Sequence, residues 1–296
     1  MLTRSIVGVV LAGILLSACG SGAQPTPPAG ALETAVAQTL QAIPTPTPGG
    51  TGTATPAPTP GPGGVPATGE GISLIVPGDL GATAAIEAIP EASGPDLPAW
   101  AIHPAHVQIT LQGYPLQGTL LKPQIFVYPV EEFSQLSDSA AQTSAALKDV
   151  LGRQGALPPG PLPFLPPLNA AQVFYSNALN LPFESGTGIR FLTQFDQAPL
   201  PVNNNELIYT FQGLTTDGKY YVAAVLPVNA AFLPADSRQD SPTPPDGVPF
   251  SWTGMDAMPA YVEAVRQKLD ATAPDAFTPS LTTLDTMMQS LRVEKP

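Results

Sequence analysis

The sequence is poor in the residues on which most enzyme and metal sites depend. It contains one cysteine and two histidines among 296 residues, and only 11% of its residues are charged. A single thiol excludes a disulfide within the chain and any zinc site built on several thiolates. The formal net charge of -12 gives no affinity for phosphate groups, so neither nucleic acid nor the anionic surface of a bilayer is an expected partner.

Short motifs of common enzymes are also absent. The sequence has no Gly-x-Ser-x-Gly, Ser-x-x-Lys or His-Glu-x-x-His motif and no phosphate-binding glycine loop. His103 and His106 lie on either side of Pro104, and in an extended segment we expect their side chains to point to opposite sides, which argues against a shared metal. We therefore expect no cofactor, and we interpret both histidines as surface or loop-anchoring residues.

The start of the chain has the pattern of a secreted lipoprotein precursor. A short positive segment ending at Arg4 precedes an apolar run of about eleven residues, too short to span a bilayer. Leu16-Ser-Ala-Cys19 follows and resembles a bacterial lipobox. The resemblance implies that residues 1–18 are removed as a signal peptide and that Cys19 carries acyl chains such as palmitate. We therefore expect an extracytoplasmic protein anchored to the cell membrane through Cys19, although an ordinary secretory leader with a chance cysteine is the alternative.

Residues 19–70 predict a disordered linker after the lipidated cysteine. The chain has 38 prolines, many of them in runs such as Pro44–Pro48 and Pro56–Pro62. A segment of Pro, Thr, Gly and Ala has too few apolar side chains to offset the entropy of ordering, so we expect an extended spacer. The threonines could carry O-glycans, but a plain spacer is the favoured interpretation. Within the linker, residues 31–43 have helical spacing of apolar residues, which predicts at most a short helix.

Residues 71–296 predict a single α+β domain. Strands are expected at residues 72–76, 106–111, 124–128, 190–195, 206–213 and 219–226, and Asp217-Gly218 is suited to the hairpin between the last two. Helices are expected at residues 131–151, interrupted near Ser137, at 259–269 and at 279–293, with Thr278 as an N-cap. This order indicates an antiparallel sheet packed by helices on one face and by loops on the other.

Residues 157–168, called the proline segment below, combine prolines with apolar side chains. Such a sequence forms neither a regular helix nor a central strand. We expect an ordered loop held against the core, and the alternative is an exposed apolar ridge covered by a partner.

Four stretches carry a resemblance to a known group of proteins: Leu162–Pro166, Asn169–Gln172, Gly188–Gln194 and Tyr209–Val222. Behind a lipobox and a Thr/Pro-rich tether, they resemble a group of uncharacterised bacterial lipoproteins, over roughly residues 100–235. This resemblance brings no known activity. The strand near Lys219–Leu226 and the helical end of the chain also resemble PsbP-like domains, which implies a scaffold or binding role.

Candidate ligand-facing residues cluster in the central strands. Tyr209, Phe211, Tyr220 and Tyr221 could form a stacking platform for sugars or peptides, although such cross-strand aromatics are also ordinary sheet stabilisers. Arg190 could bind an anion, but an ion pair with Asp196 or Glu206 is favoured.

Acidic residues supply the only metal candidates. Asp236, Asp240 and Asp246 could gather around calcium, but a solvated loop is the favoured interpretation.

Together, the anchor, the spacer and the missing catalytic motifs favour a non-enzymatic binding or scaffold module. Its partner would be an unknown envelope protein or polymer. One alternative is an envelope hydrolase that uses carboxylates such as Glu131, Glu184 or Glu206. A second alternative is a solute-capture lipoprotein. The ligand, the oligomeric state and the number of membranes in the envelope are left open.

Overall fold

A computed structural model describes residues 63–153 and 155–294 of the protein. The predicted leader, Cys19, most of the predicted linker and the expected helix at residues 31–43 lie outside the described residues. The described part contains twelve strands and four α-helices. The strands are β1 Val65–Gly69, β2 Ile72–Val76, β3 Thr83–Ile89, β4 His106–Gln112, β5 Gln124–Pro129, β6 Ala171–Gln172, β7 Ser176–Phe183, β8 Gly186–Thr193, β9 Phe195–Asp196, β10 Ile208–Thr215, β11 Tyr220–Pro227 and β12 Arg292–Val293. The helices are α1 Val130–Leu136, α2 Asp138–Gly152, α3 Met258–Ala271 and α4 Leu281–Gln289.

A seven-stranded sheet forms the centre of the fold, with the strand order β3-β4-β5-β11-β10-β8-β7. Every neighbouring pair in it is antiparallel. Strands β10 and β11 form the expected hairpin, in which Gly218 has a φ of 71°, a left-handed conformation that glycine adopts without steric cost. The α+β class predicted from the sequence is thereby confirmed. A three-stranded sheet β1-β2-β12 and a two-stranded ribbon β6-β9 complete the strands.

Helices pack on both faces of the central sheet. On one face, Tyr209 and Phe211 belong to the same apolar cluster as Val265 of α3 and Leu284 of α4. On the opposite face, the neighbouring strand residue Ile208 packs with Leu147 of α2 and other α1 and α2 residues. The expectation that loops alone cover one face was therefore wrong. The reason is that the middle helices and the final helices, whose apolar stripes look alike in sequence, take opposite sides of one sheet.

Several boundaries differ from the sequence expectations. Strand β1 lies inside the segment that composition assigned to the linker, and β3 lies where the sequence analysis expected no strand. Helix α4 begins at Leu281 rather than at residue 279, because Ser280 caps it by accepting hydrogen bonds from the amides of residues 282 and 283. The helix also ends at Gln289 rather than near residue 293, and the chain then adds β12 to the small sheet. The interruption near Ser137 is confirmed, since that residue separates α1 from α2.

A buried ion pair joins α4 to the central sheet. The Arg190 side chain on β8 is 6% exposed, and its Nε donates to Asp285 Oδ1 at 3.1 Å. Asp285 Oδ1 also accepts a hydrogen bond from Tyr209 Oη at 2.9 Å. Arg190 therefore pairs with Asp285 and not with Asp196 or Glu206, the partners expected from the sequence. Asp285 lies 95 residues away in the chain, so no local pattern indicated it.

Candidate functional site

An open cleft of about 680 Å³ lies between α2 and the proline segment. We call it the proline cleft. Its aromatic and amide lining consists of Trp100, Gln142, Phe164, Asn169, Gln172 and Phe195. Leu162 and Leu165 form its floor and are 4% and 1% exposed. The proline segment is thus held against the core, as the favoured interpretation expected, and its outward side chains form one wall of the cleft.

A fully buried glutamine on β10 holds the middle of the proline segment. The Leu165 amide donates to Gln212 Oε1 at 2.9 Å, and Gln212 Nε2 donates to the Leu165 carbonyl oxygen at 3.0 Å. Tyr221 Oη donates to the same Gln212 Oε1 at 2.7 Å. Prolines lack the amide hydrogen that would pair with a neighbouring strand, so a side chain satisfies this backbone instead. The wall of the cleft is therefore built before any ligand arrives.

The ribbon β6–β9 holds the same wall from the other side. The Leu162 amide donates to Gln172 Oε1 at 2.7 Å, and Gln172 is paired with Phe195 in the ribbon. The rings of Phe195 and Phe164 pack with their centroids 4.4 Å apart. Farther along, Gln197 Nε2 donates to the Asn169 carbonyl oxygen at 2.6 Å. The shape of the cleft therefore depends on the position of the short strand β9.

The surface of the cleft is aromatic and polar, with few charges. Trp100 is 47% exposed at one edge, and Phe164 and Phe195 are half-buried. Amide groups of Gln142, Asn169 and Gln172 supply donors and acceptors. Asp149 and Arg153, one charge of each sign, are also among the lining residues. Such a surface suits an extended, uncharged chain that combines apolar faces with hydrogen-bonding groups.

The aromatic platform predicted on the central strands is not a surface. Tyr209, Phe211 and Tyr221 are each 0% exposed, and Arg190 is 5% exposed. Only Tyr220 is half-buried. The period of two residues along a strand places Tyr209 and Phe211 on one covered face, whereas Tyr221 lies on the other. A ligand-facing role is therefore wrong for Tyr209, Phe211, Tyr221 and Arg190, because both faces of the sheet are covered, and the alternative of aromatic residues that stabilise the sheet fits the three buried rings. For Tyr220 the role stays a prediction.

The acidic loop does not assemble a metal site. Asp236 pairs with Arg238 at 2.8 Å, and Asp246 lies 3.6 Å from Lys268 Nζ. Across residues 63–153 and 155–294, no three acidic, histidine or cysteine side chains are arranged to hold a metal ion. The calcium alternative for Asp236, Asp240 and Asp246, which the sequence did not favour, is not supported, since separate cations pair with two of the three carboxylates.

The carboxylates considered for hydrolysis lie at opposite ends of the central sheet. Glu184 lies in the turn between β7 and β8, and the first residue of β8 is paired with the last residue of β10. Glu206 lies two residues before the start of β10, so the length of that strand, about 26 Å at about 3.3 Å per residue over eight residues, separates it from Glu184. Glu131, at the start of α1, lies at the same end as Glu184, because β5 pairs with β11 there. The three do not form an acid–base pair.

Glu206 instead lies within hydrogen-bonding reach of Asp196 on β9. Burial and the neighbouring Glu206 raise the pKa of Asp196 to about 7. Sequence reasoning named Asp196 only as a partner for Arg190, and named Glu206 as a partner for Arg190 or as a hydrolase carboxylate. Ten positions separate them, and nothing local indicated that the loop between them folds back.

The two histidines also lie closer than expected. Their ring centroids are 4.7 Å apart, and both Nδ1 atoms are within hydrogen-bonding distance of the Pro104 carbonyl oxygen. The expectation that His103 and His106 point to opposite sides was wrong, because the chain turns at the proline before β4 begins. His106 is 7% exposed and packs against Tyr128 with a centroid distance of 4.6 Å, and burial lowers its pKa. His106 is therefore buried and not a surface residue, and its contact with the Pro104 carbonyl oxygen fits the other interpretation, a loop-anchoring residue.

Comparisons with models of known protein families and with curated proteins found no match to this chain. The class of this protein therefore rests on its fold: it is an α+β domain with an antiparallel sheet, helices on both faces and an open cleft at the proline segment. Among the residues described, no helix is long and apolar enough to cross a membrane.

Proposed function

We propose that this protein is a non-enzymatic binding module that holds an extended, uncharged segment of an envelope protein or polymer in the proline cleft. The observation that carries the proposal is the construction of the cleft. Gln212 and Gln172 fix the backbone of its wall, and exposed Trp100 stands at its edge. A wall that is already ordered loses little conformational entropy when a ligand binds.

The placement of the domain is part of the same proposal. Lipid attachment at Cys19 would hold the protein at the outer side of the cell membrane, and residues 19–62 would let the domain reach polymers away from the lipid. The resemblance to lipoproteins with a Thr/Pro-rich tether and to PsbP-like domains agrees with a scaffold or binding role. Growing cells with labelled palmitate should label the protein, and a Cys19→Ser variant should remain unlabelled and be released from membranes.

The cleft is tested by binding. The full chain and its Trp100→Ala variant would be mixed with purified cell-wall polymer and, separately, with a peptide of repeated Pro-Thr units. We expect the variant to bind whichever probe is retained at least about tenfold more weakly, because buried aromatic anchors often contribute more than 1.4 kcal/mol.

The matched control is Trp252→Ala. Trp252 is similarly exposed, at 40%, but contacts Phe250 outside the cleft. Equal binding by the Trp100→Ala variant and the unchanged protein, or equal losses in both tryptophan variants, would contradict the proposal.

A further inference from the structure

A pair of carboxyl groups lies behind the wall of the proline cleft. Asp196 on β9 and Glu206 before β10 are within hydrogen-bonding reach of each other. Glu206 Oε1 accepts a hydrogen bond from Ser237 Oγ at 3.2 Å. The second oxygen, Oε2, is buried and has no donor among the residues described. A proton on the facing carboxyl group would supply that missing donor, because a protonated carboxyl is a hydrogen-bond donor.

The surroundings hold the pair in place without neutralising it. Gln194 is fully buried, and its Nε2 donates to Asp196 Oδ2 at 2.8 Å while its Oε1 accepts from the Asn203 amide at 3.0 Å. In residues 63–153 and 155–294, neither carboxylate has an ion pair with lysine or arginine. The nearby titratable and charged groups are Tyr261 of α3, whose pKa is raised to about 12, and the mutually paired Asp236 and Arg238 beside Ser237.

Strand β9 connects this pair to the cleft. Asp196 is paired with Ala171 in the ribbon, and the preceding residue, Phe195, is paired with Gln172. Gln172 and Phe195 both line the cleft, and Gln172 holds the Leu162 amide. A displacement of β9 away from the start of β10 therefore moves the wall of the cleft.

We propose that Asp196 and Glu206 share one proton and form a latch that fixes β9, and with it one wall of the proline cleft, to the start of β10. When the proton leaves, two partly buried carboxylates face each other without a cation between them, and their repulsion releases the ribbon. The effect of this latch on ligand binding rests on the proposed function of the cleft, whereas the existence of the latch is independent of that function.

The direction of the pH response follows from the structure. An unfolded aspartate has a pKa of 3.8, and burial together with Glu206 raises the pKa of folded Asp196 to about 7. Between these values the folded chain keeps a proton that the unfolded chain has lost, so stability falls as the pH rises through this window. The latch is closed in mildly acidic solution and opens as the pH passes about 7.

Hydrogen exchange of the full chain tests the latch. The amides of residues 171–173 would be followed at pH 6 and pH 8.5, with EDTA present and with correction for the intrinsic rate. Between pH 6 and the pKa of about 7, the folded chain keeps a proton that the open form has lost, over about one pH unit, so we expect protection of these amides to fall about tenfold. Carbon NMR of the Asp196 carboxyl group should show a titration near pH 7.

Two variants and a control complete the test. Asp196→Asn and Glu206→Gln each place an amide donor where the shared proton lies, so protection in either variant should no longer depend on pH. Asp96→Asn changes an exposed aspartate elsewhere and should behave like the unchanged chain. Unchanged protection between the two pH values, or a pH response retained in both variants, would overturn the latch. The hydrogen-exchange experiment contains no ligand, so a negative result there would not bear on the proposed function of the cleft. That function is tested separately by the binding of the Trp100→Ala variant.

Discussion

Replacing Asp285 by asparagine should destabilise the domain more than any surface substitution. The Asp285 carboxylate accepts from Arg190 Nε at 3.1 and 3.3 Å and from Tyr209 Oη at 2.9 Å. Its side chain is 15% exposed and that of Arg190 is 6% exposed. Burial raises the pKa of Asp285, and Arg190 and the Tyr209 hydroxyl counteract this rise. Asparagine keeps the shape and one acceptor oxygen, but it removes the negative charge, so the buried guanidinium of Arg190 loses its counter-ion.

The expected size follows from the uncompensated charge. Removal of one partner of a buried ion pair costs about 3–5 kcal/mol, because the other charge stays in a medium that solvates it poorly. For a domain of this size, each kcal/mol lowers the melting temperature by about 2–4 °C, so we expect a decrease of about 6–20 °C. Replacing both partners, as in Arg190→Met with Asp285→Leu, should recover most of the loss, apart from about 1–3 kcal/mol for the unpaired Tyr209 hydroxyl.

Urea unfolding followed by circular dichroism measures these free energies. The matched control is Glu263→Gln, which breaks an ion pair with Arg266 that is 36–48% exposed and should cost at most about 1 kcal/mol. The slope of the free energy against urea should remain unchanged, since the folded and unfolded surfaces are nearly the same. A loss below about 1 kcal/mol in Asp285→Asn would refute the view that this pair anchors α4 to the sheet.

Two further variants test the cleft wall and the histidine cluster. Gln212→Leu removes both hydrogen bonds to the Leu165 backbone and should cost about 2–4 kcal/mol, measured by urea unfolding, whereas Gln142→Leu on the exposed side of the cleft should cost less than about 0.5 kcal/mol. Equal losses would contradict the role of Gln212. Burial lowers the pKa of His106 below 6.5, so folded His106 resists protonation and stability should fall as the pH decreases from about 6.5. His106→Asn should remove that decrease in thermal melts, and a decrease of unchanged size would contradict the assignment.

The candidate site shows why sequence reasoning found part of the structure and missed the rest. The proline segment was recognised because alternating prolines and apolar residues exclude helix and central strand wherever they occur. The role of Gln212 as its hydrogen-bond partner was not recognised, because these hydrogen bonds join residues 47 positions apart in the chain. The aromatic residues of β10 and β11 were correctly placed on strands but were wrongly expected at a surface, since alternation along a strand does not reveal whether a face is covered.

The carboxyl pair was missed for a related reason. Asp196 and Glu206 are two ordinary acidic residues in an acidic chain, and only the return of the loop between them places their side chains together. Their consequence for the pKa depends on burial and on the proximity of the two carboxyl groups, which are properties of the assembled structure.

The sequence by itself determined the α+β class, the central strands, the hairpin at Gly218 and the break between α1 and α2 at Ser137. Each follows from local chemistry: side-chain alternation, a glycine with positive φ, or a serine that caps a helix. Tertiary structure alone decided that helices cover both faces of the sheet, that Arg190 pairs with Asp285, and that Asp196 meets Glu206 behind the proline cleft. Those contacts join distant residues and depend on which surfaces exclude water, and no local pattern carries that information.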